Sequence, residues 1–152
     1  MQFLGADFFS RRNFMQLQPP VCYQVVLGIG IDLVEITRIK RAIERWGERF
    51  EKRVFTVLEI DYCSQAEIRF QRFAARFAAK EATLKALGTG LIGDMRWHDV
   101  EVISCPSGQP HLQLSGSVES VANQMGVSQT FLSLSHTENY AIANVILLGG
   151  IE

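Results

Sequence analysis

Between Gln65 and Leu87 the chain contains neither proline nor glycine, and Gly88-Thr89-Gly90 then closes the run. Such a stretch predicts one long helix with a glycine stop. Advancing about 100° per residue from Phe70, the side chains of Phe70, Phe73, Phe77 and Leu84 fall within about 60° of one another. They form a core-facing stripe. Glu81 falls roughly 20° from Phe70, at the edge of that stripe. An unpaired buried carboxylate would cost several kcal/mol or be forced to protonate, so Glu81 needs a cation, a basic partner or a metal. Lys85, four residues on, is one basic candidate. Arg69, Arg72, Arg76 and Lys80 share an adjoining face, which reads either as a solvated helix side or as an anion-binding one. Alanines 74, 75, 78, 79, 82 and 86 occupy the rest, small enough for another backbone to approach closely.

Around this helix the pattern is that of an α+β domain, with the long helix packed on a mainly antiparallel sheet. Val25 to Val34 is rich in β-branched residues and predicts a buried strand; Glu35 to Trp46 has helical apolar spacing and ends at Gly47. Thr56 with Glu59 three residues on is a capping-box signature. Val100 to Ile103 and His111 to Leu114 predict strands about a Pro106 to Pro110 turn. Ser115 to Met125 predicts a helix. Thr130 to Ser135 and Tyr140 to Leu148 predict a hairpin joined by His136-Thr137-Glu138-Asn139. Residues 1–24 read as a poorly structured leader, with Asp7, Arg11, Arg12 and Pro19-Pro20 interrupting any signal-like apolar run, and 25–152 as the functional domain.

Composition narrows the function classes. With 15 basic and 16 acidic residues the net charge is −1, giving no general reason to bind nucleic acid. No apolar stretch is long enough to span a membrane. Cys22, Cys63 and Cys105 are scattered singly, with neither zinc-ligand spacing nor an even count, and read as free thiols in a reducing cytoplasm.

Asp32 ends Gly28-Ile29-Gly30-Ile31-Asp32. A dinucleotide-binding fingerprint fails here, because Leu33 stands where the third glycine belongs. The glycines instead suit close backbone approach near Asp32, whose carboxylate serves either as a helix cap or as a ligand. Two carboxylates on separate elements, Asp32 and Glu81, beside lysines and arginines, fit magnesium bound together with a phosphate.

Several ordered motifs resemble one family. Gly28 to Asp32 followed by Arg38, Phe55-Thr56-Val57-Leu58-Glu59, Arg76 to Gly90, Trp97 to Val102, Gly108-Gln109-Pro110 and Ser133 to Thr137 resemble the holo-acyl-carrier-protein synthases, the small 4′-phosphopantetheinyl transferases. The resemblance implies transfer of the phosphopantetheine arm of coenzyme A to a serine of apo acyl carrier protein, releasing adenosine 3′,5′-bisphosphate and supporting fatty acid biosynthesis. It implies Asp32 and Glu81 as Mg²⁺ ligands, with Lys85 reaching the reacting phosphate. Arg76, Lys80, His136 and Thr137 are expected at the coenzyme's phosphates, with Gly88 and Thr89 allowing close approach. A metal-held water, Glu81 and Lys85 all remain candidates for taking the serine proton. His136 beside Ser133 and Ser135 lacks the Gly-x-Ser-x-Gly elbow of a hydrolase triad, leaving hairpin closure or phosphate contact.

Arg38 to Arg53 carries seven basic residues against Glu44, Glu48 and Glu51, a local excess suited to an acidic partner. Arg38, Arg45 and Arg49 are the expected carrier-protein contacts. Residues Ile142, Val145, Ile146 and Leu147 make the last strand apolar on both faces, so it is either central or covered by another subunit. The resemblance implies a homotrimer with active sites between subunits. Two rival readings are a metal-dependent pyrophosphate hydrolase acting on coenzyme A or a related nucleotide, and a non-catalytic module that binds acidic proteins.

Overall fold

The structure, a computed structural model, describes residues 23–65 and 67–150. Strand β1 (Gln24–Glu35) leads into helices α1 (Ile36–Trp46), α2 (Glu48–Val54) and α3 (Val57–Ser64), then the long helix α4 (Arg69–Ala86). A 3-10 turn (Trp97–Asp99) precedes β2 (Val100–Ser104) and β3 (Pro110–Leu114); helix α5 (Gly116–Gln124) and strands β4 (Val127–His136) and β5 (Tyr140–Gly150) follow. The strands make two antiparallel sheets, β1-β5-β4 and β2-β3. The α+β expectation holds. The leader reading falls almost wholly outside the described residues, and β1 begins at Gln24, one residue before the expected domain start.

The helix α4 departs from the sequence picture in one respect. Every residue from Phe73 to Lys80 is buried, as are Ala82, Thr83, Leu84 and Ala86. It is therefore a central helix rather than one with a solvated side. Its alanine side, not its phenylalanine stripe, lies on the sheet. A Cβ placed on Gly28 would come within 2.1 Å of the Ala86 carbonyl oxygen, and one on Gly30 within 1.8 Å of that of Ala82. These glycines exist so that β1 and α4 can touch backbone to backbone. The phenylalanines face the other way, Phe73 against Phe55 (4.8 Å between centroids) and Phe77 against Trp97 (5.3 Å).

The capping box of α3 is present, with Thr56 and Glu59 bonded reciprocally. Helix α2 had no sequence signal of its own; Gly47, at φ 54°, separates it from α1. β5 is the central strand. Its Ala141, Ala143, Val145 and Leu147 pack inward, while its other face continues an apolar surface formed by the exposed Ile29, Ile31 and Leu33 of β1 and Phe131 of β4. No described helix is long and apolar enough to cross a membrane.

Candidate active site

Strand alternation puts Asp32 on the face of β1 that meets α4, opposite Ala143 of β5. It is not a helix cap, because the N-cap position of α1 is Glu35. Lys85, one turn beyond Glu81, donates to Asp32 Oδ1 at 2.7 Å and to the Ile31 carbonyl at 3.1 Å. Two of its three N–H groups are thus engaged, and the side chain remains half exposed. The alternative of a Glu81–Lys85 pair gives way to Asp32–Lys85.

Glu81 is half-buried in the same cluster. Burial, and then the nearby Asp32 carboxylate, raise its pKa above the usual glutamate value of 4.5, opposed by Lys85 and Arg38. Two carboxylates whose charges repel, with a lysine and an arginine beside them, form a site that a hard cation would relieve. Among the described residues no cluster of three or more His, Cys, Asp or Glu exists that could cage a metal. A cation here would have to take the rest of its ligands from water or substrate.

Arg76 and His136 also come together. Arg76 is buried, lies over the Tyr62 ring at 4.1 Å, and donates from Nη2 to Ser104 Oγ at 2.9 Å. Its Nε is buried without a hydrogen-bond partner among the described residues, as is that of Arg69. Arg76 lines a cavity of about 270 Å³ with Tyr62, Arg72, Ser104, Pro110 and His136. Tyr62 and Ser104 escaped the sequence reading, because neither belongs to a charge pattern or a periodic face. The triad alternative for His136 fails geometrically. Ser133 and Ser135 stand opposite Asn144 and Ile142 on the other face of β4.

Lys80 is a correction. Expected at the coenzyme's phosphates, it is fully buried and ion-paired with the equally buried Glu59 at 2.8 Å. It also donates to the carbonyls of Trp97, at 2.9 Å, and Val100. Three donors meet three acceptors, leaving nothing for a ligand. Gly88 (φ 73°) and Gly90 (φ 66°) sit in the left-handed region, so their backbone conformation calls for glycine, and the space where a Cβ would stand is open. The Thr89 hydroxyl donates to the Gly90 carbonyl. Thr137 closes the β4–β5 turn, its hydroxyl accepting from the amides of Asn139 and Tyr140.

The basic helices carry a second cavity, of about 610 Å³, walled by Trp46, Phe50, Phe77 and Trp97 with Arg49 and Arg53 at its edge. Arg45 stacks over Trp46 at 4.9 Å and Arg38 over Phe77 at 5.8 Å, so the three expected contact arginines border one apolar groove. Lys40 and Lys52 instead pair with Glu44 and Glu48 on their own helices. Arg53 and the aromatic walls read in the sequence as parts of separate elements, since they converge only once α2 folds back beside α4.

Residues 28–145 match the family model of the 4′-phosphopantetheinyl transferase superfamily. Holo-[acyl-carrier-protein] synthase of Koribacter versatilis is 50% identical over 123 residues, 81% of this chain and 98% of the relative. That of Geobacter metallireducens is 46% identical over the same shares. The crystal structure of the synthase from Neisseria meningitidis superposes with a TM-score of 0.74 at 32% identity, covering 81% of this chain and 98% of that one. The Helicobacter pylori synthase, solved in complex with coenzyme A, gives 0.70 at 30% identity, covering 78% and 98%. The motif resemblance therefore holds, and the chain belongs to the 4′-phosphopantetheinyl transferase superfamily, beside relatives named holo-[acyl-carrier-protein] synthase.

Proposed function

We propose that this protein transfers the 4′-phosphopantetheine group of coenzyme A to a serine of apo acyl carrier protein. The observation that carries this reading is the Asp32–Lys85–Glu81 cluster, held on β1 and α4 by the backbone contact at Gly28 and Gly30. In the reaction the serine hydroxyl gives up its proton to a nearby base or water, and its oxygen bonds to the phosphorus bearing the pantetheine arm. The bond from that phosphorus to the bridging oxygen breaks, and adenosine 3′,5′-bisphosphate leaves. Asp32 and Glu81 would hold Mg²⁺, which when bound neutralises charge on the pyrophosphate and the departing bisphosphate. Lys85, with one uncommitted N–H, adds a positive charge at the same phosphates. Arg76 and His136 suit the nucleotide's own phosphate, supported by the cavity they line together with Arg72. Thr137, Thr89 and Gly88 lie on turns that would serve this ligand through backbone and hydroxyl groups.

The carrier protein docks in the groove bordered by Arg38, Arg45 and Arg49, where guanidinium groups with no ion pair among the described residues meet an acidic surface and the aromatic walls take its apolar side chains. The apolar outer face of β1-β5-β4 is the surface through which a homotrimer would form, with each active site completed by a neighbour. The reaction belongs in the cytoplasm, where coenzyme A and fatty acid biosynthesis meet. Intact mass spectrometry of apo acyl carrier protein incubated with the protein, coenzyme A and Mg²⁺ tests the reading. The expected result is a gain of one phosphopantetheinyl group, lost on chelation. Coenzyme A cleaved without gain on the carrier would mean a hydrolase. Carrier bound without turnover would mean a binding module.

A further inference from the structure

The buried Lys80–Glu59 pair has no part in the chemistry described so far, yet it joins the pieces that the chemistry needs. Lys80 bonds to the carbonyls of Trp97 and Val100, the two ends of the 3-10 turn and its junction with β2. Glu59 accepts from the Val102 amide through Oε1, and from the Thr56 amide through Oε2. The segment from Trp97 to Val102 is therefore pinned at three backbone points to one ion pair. Upstream of the pins, Trp97 walls the apolar groove between the arginines. Downstream, β2 ends at Ser104, which holds Arg76 and lines the smaller cavity with Pro110, its partner across the strand pair.

A buried ion pair is weak evidence for stability, because apolar residues of similar volume often serve a core as well or better. What apolar residues cannot supply is three directional bonds that fix one short segment. We propose that Lys80 and Glu59 are positioning residues that set the carrier groove and the nucleotide cavity in register with the Asp32–Glu81 site. The anchor sits immediately beside Glu81 on the same helix. This rests on the transfer reading above, and it concerns the binding of both substrates rather than the reacting atoms.

The test uses steady-state transfer kinetics with the full chain, coenzyme A and apo acyl carrier protein. The variant Lys80→Met/Glu59→Gln removes both charges together, which avoids leaving either one buried alone. The expected result is a cooperatively melting protein whose KM rises at least about fivefold for coenzyme A and for carrier, with kcat within about threefold of wild type. Ser104→Ala, which cuts only the link to Arg76, should raise the coenzyme A KM alone. If the double variant does not fold, Glu59→Gln decides by the same criteria, since it keeps the side chain's shape. Both KM values within twofold of wild type in a folded variant overturn the proposal. So does a rise in one KM only, or a fall in kcat with both KM values held. Absence of transfer by the wild type would instead overturn the transfer reading itself.

Discussion

Lys80 and Lys85 stand on the same helix, and each forms an ion pair with a carboxylate from another element. The Lys80–Glu59 pair is wholly enclosed and saturated, at 2.8 Å; the Lys85–Asp32 pair is equally short but opens to solvent through Lys85. Burial pushes the Lys80 ammonium below the usual lysine range, against the pull of Glu59. Charge near the family motif is therefore not by itself catalytic. A group whose donors are all spent on the fold holds geometry, and a group with capacity left over can meet a ligand.

Breaking the open cluster should have the largest effect on activity. Asp32→Asn or Glu81→Gln should lower transfer by on the order of 10³-fold while the far-ultraviolet spectrum stays native. Lys80→Met and Lys85→Met then separate the two pairs. The first leaves Glu59 buried without its cation and should cost about 3–5 kcal/mol in chemical denaturation. The second acts on a pair open to water through Lys85 and should cost less, about 1–2 kcal/mol, while transfer still collapses. Gly30→Ala tests the contact beneath the cluster. Its methyl group would meet the Ala82 carbonyl, so α4 must move off β1, at about 1–3 kcal/mol or more and with a fall in kcat.

A subtler expectation concerns pH. Glu81 binds its proton more firmly in the native chain than in the unfolded one. In the window above 4.5 the native state therefore carries the extra proton, and metal-free stability should fall as pH rises through the native value. Glu81→Gln should flatten that dependence and raise the metal-free Tm at neutral pH, while abolishing transfer. The smallest effect belongs to Thr56→Ala, which removes the α3 cap and should cost about 1 kcal/mol by thermal melting.

Much of this was legible in the sequence because it is local. The long helix, the Thr56–Glu59 capping box and the strand alternation of β1 follow from residues a few positions apart. Asp32, Glu81, Lys85, Arg76 and His136 were all named, and the structure brings the first three into one cluster and the last two into one cavity. What the sequence concealed depends on distant partners. Lys80 reads like the other bases of its helix until β2 and α3 close over it, and Glu59 reads as a cap alone. Arg53, Tyr62 and Ser104 gain meaning only when α2, α3 and β2 gather around α4. The alanine side was read as allowing close approach, but only the strand glycines show what approaches it.

On the proposed reading Asp32 and Glu81 form a cation site completed by the coenzyme, and Mn²⁺ is a spectroscopically visible probe of such oxygen ligands. Electron paramagnetic resonance titration of Mn²⁺ should show one ion bound per chain, tightened by coenzyme A. Binding should be lost in Glu81→Gln and retained in Arg45→Glu. Equal Mn²⁺ affinity in wild type and Glu81→Gln, with coenzyme A present, would rule out Glu81 as a ligand of that site.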